Sequence, residues 1–307
     1  MGLVMDDSAL LIAGVGGLGC SWANRAHNQC SSYADLVLID AEKSSLLEES
    51  SAHILQLGTG ENPAGCAALP PLGKERMRSM APLVSDLMRP VEMVVILTGL
   101  GGGTGSGAAP EFARLARQKG ALVISIATLP FESQMVRKRL AENALDDLRT
   151  YSDVCVQVSL DRLSWQARER GLDWTKRTGW IEELTIGLIQ TLARVGKINL
   201  DLMDLRAILS KEGQATMLVA ESGLGKPGNV FQRAMSAPLF DMEFSGAKGC
   251  LLQIEGGPDM TIEQLDEVAS SFTSGLHDDA QVILGARVGE ELEGRLRIVA
   301  VLSGISN

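Results

Sequence analysis

Short apolar runs that alternate with helical patterns constrain the fold of this chain more than any other feature. Runs that are apolar at nearly every position are typical of parallel strands covered on both faces. Five occur in the first 160 residues: ALLIAGV (9–15), ADLVLID (34–40), MVVILT (93–98), ALVISIAT (121–128) and DVCVQVSL (153–160). Helical patterns lie between them at Lys74–Met88, Glu111–Lys119 and Val136–Thr150. The alternation predicts an α/β fold with a doubly wound, mostly parallel sheet.

After residue 160 the pattern changes. WIEELTIGLIQTLARVG (180–196) predicts a long helix that ends at Gly196. One clear helix, IEQLDEVASSFTSGL, and four strand candidates follow: ATMLVAES, GCLLQIEGG, AQVILGARV and RLRIVAVLSG. We therefore predict a first domain over residues 1–178, a linking helix over 179–200 and a smaller α+β domain over 201–307.

A glycine-rich segment, GLGGGTGSGAAP (99–110), joins the third apolar run to the next helix. Six of its twelve residues are glycine, which costs backbone entropy on folding. Bare backbone N–H groups can form an anion-binding concavity, and the start of the following helix adds positive potential. Thr104 and Ser106 add hydroxyl donors. A flexible surface turn is the alternative, but the density of glycine favours a phosphate-binding loop.

Two more glycine-bearing loops bear on the choice of ligand. GVGGLG (14–19) follows the first run, and Asp40 ends the second, as in a dinucleotide-binding fingerprint. Taken alone, this pair indicates an NAD-dependent enzyme. LGTGENPAG (57–65) adds a third loop after the second run, and three such loops at one sheet edge favour a longer polyphosphate. Since no Walker lysine is present, backbone amides and a metal ion would neutralise the charge.

Composition limits the class of protein. The net charge of −10 does not indicate a basic surface that would bind nucleic acid. No apolar stretch approaches the roughly 18 residues of a membrane-spanning helix, and the N-terminus carries no secretory signal, so we expect no direct membrane insertion. The five cysteines are not spaced like metal ligands. Their odd number, without a secretory signal, indicates reduced thiols and a cytoplasmic location.

Several motifs together carry a family resemblance. GGGTGSG resembles the signature loop of the tubulin/FtsZ superfamily, and GVGGLGCSWANR is similar to its first phosphate loop, although Leu18 and Cys20 replace usual glycines. LGTGENPAG resembles the loop near the γ-phosphate, and TLPF with RKRLAE resembles the ribose-side loop and its helix. KINLDLMDLRAIL is similar to the N-x-D-x-x-D loop. APLFDMEFSGAKGCLLQIEGG and RLRIVAVLSGIS resemble the C-terminal domain of FtsZ.

The resemblance implies a GTPase that binds GTP or GDP with Mg²⁺ and assembles head to tail into protofilaments. It implies that the next copy closes the nucleotide site. Residues around the β- and γ-phosphates would be Gly101, Gly102, Gly103, Thr104, Gly105 and Ser106. Residues on the α/β side would be Gly14, Gly16, Gly17 and Ser21, and those beside the γ-phosphate would be Gly58, Gly60 and Asn62. Asp40 would lie near the metal through water, or it is only the polar end of a strand.

Asp201 and Asp204 are the candidate catalytic acids. Their spacing of three puts both carboxylates on one face at the start of a helix, where acids are favoured. Alone, they would be helix-capping residues; with the glycine loops, we expect them to orient the attacking water. Asn199 would hold the loop or touch the γ-phosphate. Because these residues act on a neighbour's nucleotide, hydrolysis should depend on protein concentration.

The base and ribose sides depart from the family pattern. Leu160 or Asp161 stands where an asparagine is usual, and Glu132 is the candidate ribose-side acid. Trp174 or Trp180 would stack on the base and Glu182 or Glu183 would pair its N–H groups, although both tryptophans suit core packing equally.

Three functions remain open from the sequence. The first is a GTP-hydrolysing filament protein of cell division or cell shape, whose partners are copies of itself and possible division or membrane-anchor proteins. The second is a non-hydrolysing GTP-binding paralogue that scaffolds other filaments. The third, disfavoured, is an NAD-dependent oxidoreductase.

Overall fold

The structure is a computed structural model that describes residues 9–43, 46, 52–58, 65–169, 171, 179–194, 197–224, 228–235 and 245–306. The chain divides into two compact units, unit 1 over Met1–Glu182 and unit 2 over Glu183–Asn307. The division falls within one helix, α7, at Trp180–Ala193. The boundaries predicted at 178 and 200 remain predictions.

Unit 1 is built on a six-stranded sheet in the order β3-β2-β1-β4-β5-β6, with every neighbouring pair parallel. The fold class predicted from the apolar runs is therefore confirmed. The strands are β1 Leu10–Val15, β2 Asp35–Asp40, β3 Ala52–Gln56, β4 Met93–Gly99, β5 Leu122–Leu129 and β6 Val154–Ser159. The helices are α1 Gly16–His27, α2 Pro70–Ser79, α3 Ala81–Leu87, α4 Gly103–Gln118, α5 Met135–Tyr151 and α6 Leu160–Glu169.

The strand order places a switch point at the carboxyl ends of β1 and β4. β1 lies between β2 and β4, with Gly14 opposite both Leu38 and Leu97. The chain then builds outward on each side of β1, which opens a crevice where ligands bind in such sheets. α1 begins directly after β1, and three residues separate the end of β4 from the start of α4. Both helix N-termini therefore lie at this crevice.

The sequence prediction of unit 1 was wrong in three places. β3 was not predicted, because it is a half-exposed edge strand without a continuous apolar run. The single helix predicted over Lys74–Met88 is two helices that break at Met80, where the proline at the start of α3 interrupts the hydrogen-bond ladder. α4 begins at Gly103, eight residues before the predicted start at Glu111. Much of the glycine-rich segment is therefore helix.

Unit 2 contains a four-stranded mixed sheet in the order β7-β10-β8-β9. β10 is antiparallel to β7 and β8, and β8 is parallel to β9. Phe272 and Val268 of α10 belong to an apolar core with Leu252 and Ile298 of the sheet. The elements are α8 Leu202–Leu209, β7 Gln214–Gly223, α9 Gly228–Met235, β8 Gly249–Gly256, α10 Ile262–Thr273, β9 Gln281–Val288 and β10 Arg295–Ile305. All four predicted strands are present; α9 was not predicted.

Among the helices described, none is both long enough and apolar enough to cross a bilayer. All five cysteines are free thiols, and four of them are buried.

Replacement of Gly107 by alanine should destabilise unit 1. A Cβ at Gly107 would meet the Pro70 carbonyl and the Lys74 nitrogen of α2 at well under 3.0 Å, so α2 and α4 would have to separate. We expect a loss of about 1–3 kcal/mol, the usual cost of overpacking, seen as a lower thermal unfolding midpoint. Gly223→Ala is the control, because the nearest atom lies 3.9 Å from its Cβ position. An equal shift in both variants would contradict this interpretation.

Candidate functional site

The first turns of α1 and α4 meet at the crevice between β1 and β4. Gly16 has a φ of +74°, and a Cβ placed on it would lie 3.4 Å from the Gly105 nitrogen and 3.8 Å from the Thr104 Cβ. The first N–H groups of each helix have no partner within the helix, and both N-termini carry positive potential. Two such ends in contact form a region, here called the cradle, that suits a polyphosphate.

Several glycines of the cradle are required by close packing. A Cβ on Gly19 would collide with the Leu97 carbonyl, and one on Gly105 would collide with the Gly99 carbonyl. A Cβ on Gly14 would lie 2.6 Å from the Cys20 Cα, and one on Gly103 would collide with the Cys66 carbonyl. The glycines therefore let both helices lie directly against the sheet edge and its flanking segment, which fixes where their amides point.

Gly102 and Gly17 are the open positions of the cradle. A Cβ on Gly102 would have nothing within 4 Å, and Gly17 is exposed at the first turn of α1. Their backbone groups are therefore accessible to a ligand. Both were among the predicted phosphate-binding residues.

The two hydroxyls of the glycine-rich segment differ in their surroundings. Thr104 is half-buried in the first turn of α4. Ser106 is buried, and its Oγ accepts a hydrogen bond of 2.8 Å from the Gly101 N–H. Gly101, at φ +94°, therefore directs its amide into the loop and not toward the cradle. The predicted contact of the Gly101 amide with phosphate does not fit this arrangement, whereas the contact of Thr104 with phosphate stays a prediction.

Ser21, Arg25 and Glu182 form a connected chain of side chains. Arg25 donates from Nη1 to Ser21 Oγ at 2.7 Å and from Nε to Glu182 Oε1 at 2.7 Å. Glu182 is 5% exposed, so this ion pair between α1 and the start of α7 is largely shielded from water. Ser21 was predicted on the α/β-phosphate side and Glu182 as one of two acids that pair the base. Both are bound to Arg25 here.

Asp40 ends β2 as a buried carboxylate. Its Oδ1 accepts a hydrogen bond of 2.7 Å from the Ala41 N–H, as the polar end of a strand would. Burial raises the pKa of the neighbouring Cys20 thiol to about 12, and the charge of Asp40 adds to the rise. Within the described ranges, no group of three or more His, Cys, Asp or Glu side chains could hold a metal ion.

Of the third glycine loop, the structure describes only Leu57, Gly58 and Gly65. Gly58, at φ +119°, follows β3 and not β2 as predicted, but it still leaves the carboxyl edge of the sheet. Gly60 and Asn62 lie outside the described residues.

On the predicted ribose side, Glu132 is exposed and forms an ion pair with Lys138. Its N–H donates to Asp161 Oδ2 at 2.9 Å, which ties this loop to α6. Leu160, the alternative to Asp161 at the base side, is buried. Trp180 is half-buried, and Trp174 lies outside the described residues. No base or ribose contact follows from these positions.

Arg137 was missed by the sequence analysis. A Cβ on Gly101 would lie 3.0 Å from both the Arg137 Cβ and its carbonyl oxygen, so this exposed arginine borders the cradle. Arg137 is thereby a candidate for the positive side chain that the glycine loops lack. The RKR sequence after TLPF was the available signal.

In unit 2, Asp201 and Asp204 form a capping box at the start of α8. Asp201 Oδ1 accepts from the N–H groups of Met203 at 2.7 Å and Asp204 at 2.9 Å, and Asp204 Oδ2 accepts from the Asp201 N–H at 3.0 Å. Both aspartates therefore cap the helix, as the alternative interpretation of the sequence predicted. Asp201 and Asn199 are exposed. The box holds both carboxylates at the surface in fixed orientations, which a catalytic role also requires.

Comparison with known proteins identifies two matching family models. The model of the tubulin/FtsZ family GTPase domain matches residues 9–166, and that of the FtsZ family C-terminal domain matches residues 213–306. The chain is 32% identical over 305 residues to cell division protein FtsZ 2 of Haloferax volcanii, covering 98% of this chain and 76% of the relative. It is 31% identical over 307 residues to cell division protein FtsZ 1 of Archaeoglobus fulgidus, covering 98% and 83%.

Solved structures agree with these matches. An empty FtsZ dimer from M. jannaschii superposes with a TM-score of 0.86 at 28% identity, covering 97% of this chain and 88% of the other. The GTPγS-bound protofilament of CetZ2 from Haloferax volcanii gives a TM-score of 0.78, covering 97% and 93%. At 22% identity, the second likeness shows the fold alone.

Loss of Arg25 should destabilise unit 1, because the buried Glu182 carboxylate would lose its ion-pair partner. For Arg25→Met we expect about 2–4 kcal/mol less stability in denaturant unfolding. Arg89→Met is the control. Its pair with Asp86 is also short, at 2.8 Å, but both side chains are at least 70% exposed, so the change should be negligible. Equal stability of both variants would show that the Arg25–Glu182 pair contributes little.

Proposed function

The chain belongs to the tubulin/FtsZ family of GTPases, and we propose that two copies complete each of its active sites. The cradle of unit 1 would hold the triphosphate of GTP, and the acid pair of unit 2 in the next copy would act on it. The observation that carries this proposal is the contact between the first turns of α1 and α4 at Gly16 and Gly105. The family also accounts for the cytoskeletal function, whereas the comparisons give no support for an NAD-dependent oxidoreductase.

The cradle would act mainly through backbone. Gly16 and Gly17 would donate amides to the α/β side, and Gly102, Gly103 and Thr104 would donate to the β/γ side. Donors that packing already fixes need no reorganisation as charge develops on the phosphates, which is how electrostatic stabilisation is most effective. Arg137, beside Gly101, would add a positive charge to the same side.

The residues fit Mg²⁺ that is bound mainly through the nucleotide. Magnesium keeps several waters and takes few protein ligands when phosphate oxygens are present. The buried Asp40 carboxylate at the end of β2 is an oxygen donor of the kind that Mg²⁺ takes. When bound, Mg²⁺ would supply positive charge that offsets the charge of the triphosphate. Asp40 would hold the ion through water. The alternative is that its carboxylate is only the polar end of β2.

The acid pair would orient and polarise the attacking water. Asp201 and Asp204 are held by their capping bonds, so their remaining carboxylate oxygens point in a fixed direction. Positioned general-base catalysis contributes about 10²- to 10⁴-fold. Asn199 would hold the loop or contact the γ-phosphate. Since the acids come from another copy, the rate of hydrolysis per molecule would rise with protein concentration.

We infer head-to-tail assembly in the cytoplasm, where free thiols such as the five in this chain persist. Copies of the chain are the primary partner, and division or membrane-anchor proteins would be further ones. Known structures of relatives include an FtsZ dimer and a CetZ2 protofilament, which supports self-association.

Replacement of Asp201 separates capping from catalysis. Asparagine caps a helix as well as aspartate does, so Asp201→Asn should keep α8 intact and remove only the charge. We expect its GTP affinity to stay within about twofold, its phosphate release to fall at least about 100-fold, and its filaments to persist longer. Phosphate release measured against protein concentration, with sedimentation in GTP and GDP, tests this.

Thr261→Ala is the control for loss of a cap alone. Thr261 and Gln264 form the same kind of capping box on α10, so the substitution should cost about 1 kcal/mol without changing hydrolysis. If Asp201→Asn hydrolyses GTP at the wild-type rate, the catalytic assignment is wrong. If the wild-type protein binds GTP without turnover, the non-hydrolysing alternative is favoured.

Thr104→Val tests the cradle. Valine keeps the shape of threonine and removes the hydroxyl, so GTP affinity should fall about tenfold while thermal stability changes little. Calorimetric titration with GTP and GDP gives both constants. Thr150→Val is the matched control, because Thr150 donates to the Asp146 carbonyl within α5. Unchanged affinity in Thr104→Val would remove Thr104 from the phosphate-binding set.

A further inference from the structure

Two large apolar side chains are exposed at the edge of the cradle. Met135 and Val136, in the first turn of α5, expose 71% and 78% of their surface. Arg137 follows directly and contacts the position of the Gly101 Cβ, so both apolar residues lie within two residues of the cradle. Exposed Arg139 completes a segment, here called the α5 rim, that is apolar at its start and basic after it.

A complementary segment occupies the surface of unit 2. Met203 exposes 71% of its surface, although it lies within the capping box between Asp201 and Asp204. Ile198, just before this loop, is 49% exposed. In unit 2, the apolar Met203 lies between two carboxylates. On the α5 rim, two apolar side chains precede two guanidinium groups. The two segments are therefore opposite in charge and alike in having exposed apolar side chains.

The position of Met203 in α8 links this complementarity to the active site. Asp201 is the N-cap residue and Asp204 is in the first turn, so Met203 lies within one helical turn of both carboxylates. When the acid pair of one copy reaches the cradle of the next, Met203 must come to the edge of that cradle. Methionine is flexible and polarisable, and therefore packs well on a surface that is not perfectly matched.

We propose that Met203 of one copy packs against Met135 and Val136 of the next and thereby positions the acid pair at the triphosphate. The inference rests on the proposed function, because it requires two copies to share a site. Attraction between Asp201 and Asp204 and the basic end of the α5 rim orients the approach, and the apolar contact sets its register. Met203 is a positioning residue, since it acts on the reaction through its neighbours.

The test is a double-mutant cycle with Met203→Ser, Val136→Ser and both together. Each single substitution should raise the critical protein concentration for GTP-dependent sedimentation and phosphate release about tenfold, the factor expected for one lost apolar contact. The critical concentration of the double variant should be little higher than that of either single variant, because each single substitution already removes the contact. GTP affinity measured on dilute protein should stay within about twofold.

Ile262→Ser and Leu83→Ser are matched controls, one in each unit. Their side chains are 83% and 54% exposed but lie on α10 and α3, so the critical concentration should not change. Met203→Gln repeats the test with a side chain of similar length if the serine variant unfolds early. Unchanged critical concentrations, or effects of the two substitutions that simply multiply, would overturn the inference. Wild-type protein that never sediments with GTP would instead remove the proposed function.

Discussion

The close approach of α1 and α4 to the edge of the parallel sheet is the contact on which the rest of the site depends. It exists only because Gly19 faces the Leu97 carbonyl and Gly105 faces the Gly99 carbonyl without a Cβ between them. A methyl group at either position would push a helix outward and separate the two N-termini. The glycines thus act less by making the loop flexible than by allowing rigid packing. Their entropic cost is offset by the fixed direction of the backbone amides.

The parallel sheet could be predicted because its central strands are apolar at almost every position. The failures have equally physical causes. β3 is half-exposed and contains His53 and Gln56, so neither an apolar run nor strict alternation marks it. The start of α4 was placed late because Gly103 and Gly105 have low helix propensity, and packing against neighbouring backbone overrides propensity there.

Candidate phosphate-binding positions could be proposed from the sequence more readily than candidate base-binding positions. Glycine spacing after a strand is a local pattern, and it pointed to the sheet edge where the first turns of α1 and α4 meet; phosphate binding there stays a prediction. Side-chain pairing across the fold leaves no such pattern. Arg25 and Glu182 are 157 residues apart, and the sequence around neither residue predicts their hydrogen bond. The same holds for the bond of Ser106 to Gly101, which changes the role of that amide.

The capping box of Asp201 and Asp204 is compatible with the catalytic role proposed for them. Asp201 accepts both of its described capping bonds through Oδ1, and Asp204 accepts the bond from the Asp201 N–H through Oδ2. One oxygen of each carboxylate is thereby tied to backbone, which removes the rotational freedom that an exposed side chain would otherwise have. A carboxylate that is already oriented loses less entropy when it positions a water molecule, so the capping box would lower the entropic cost of the proposed catalytic role. The charge that favours the helix N-terminus is the same charge that would polarise water in the proposed reaction, and for this reason only a substitution that keeps the cap can show what the charge does.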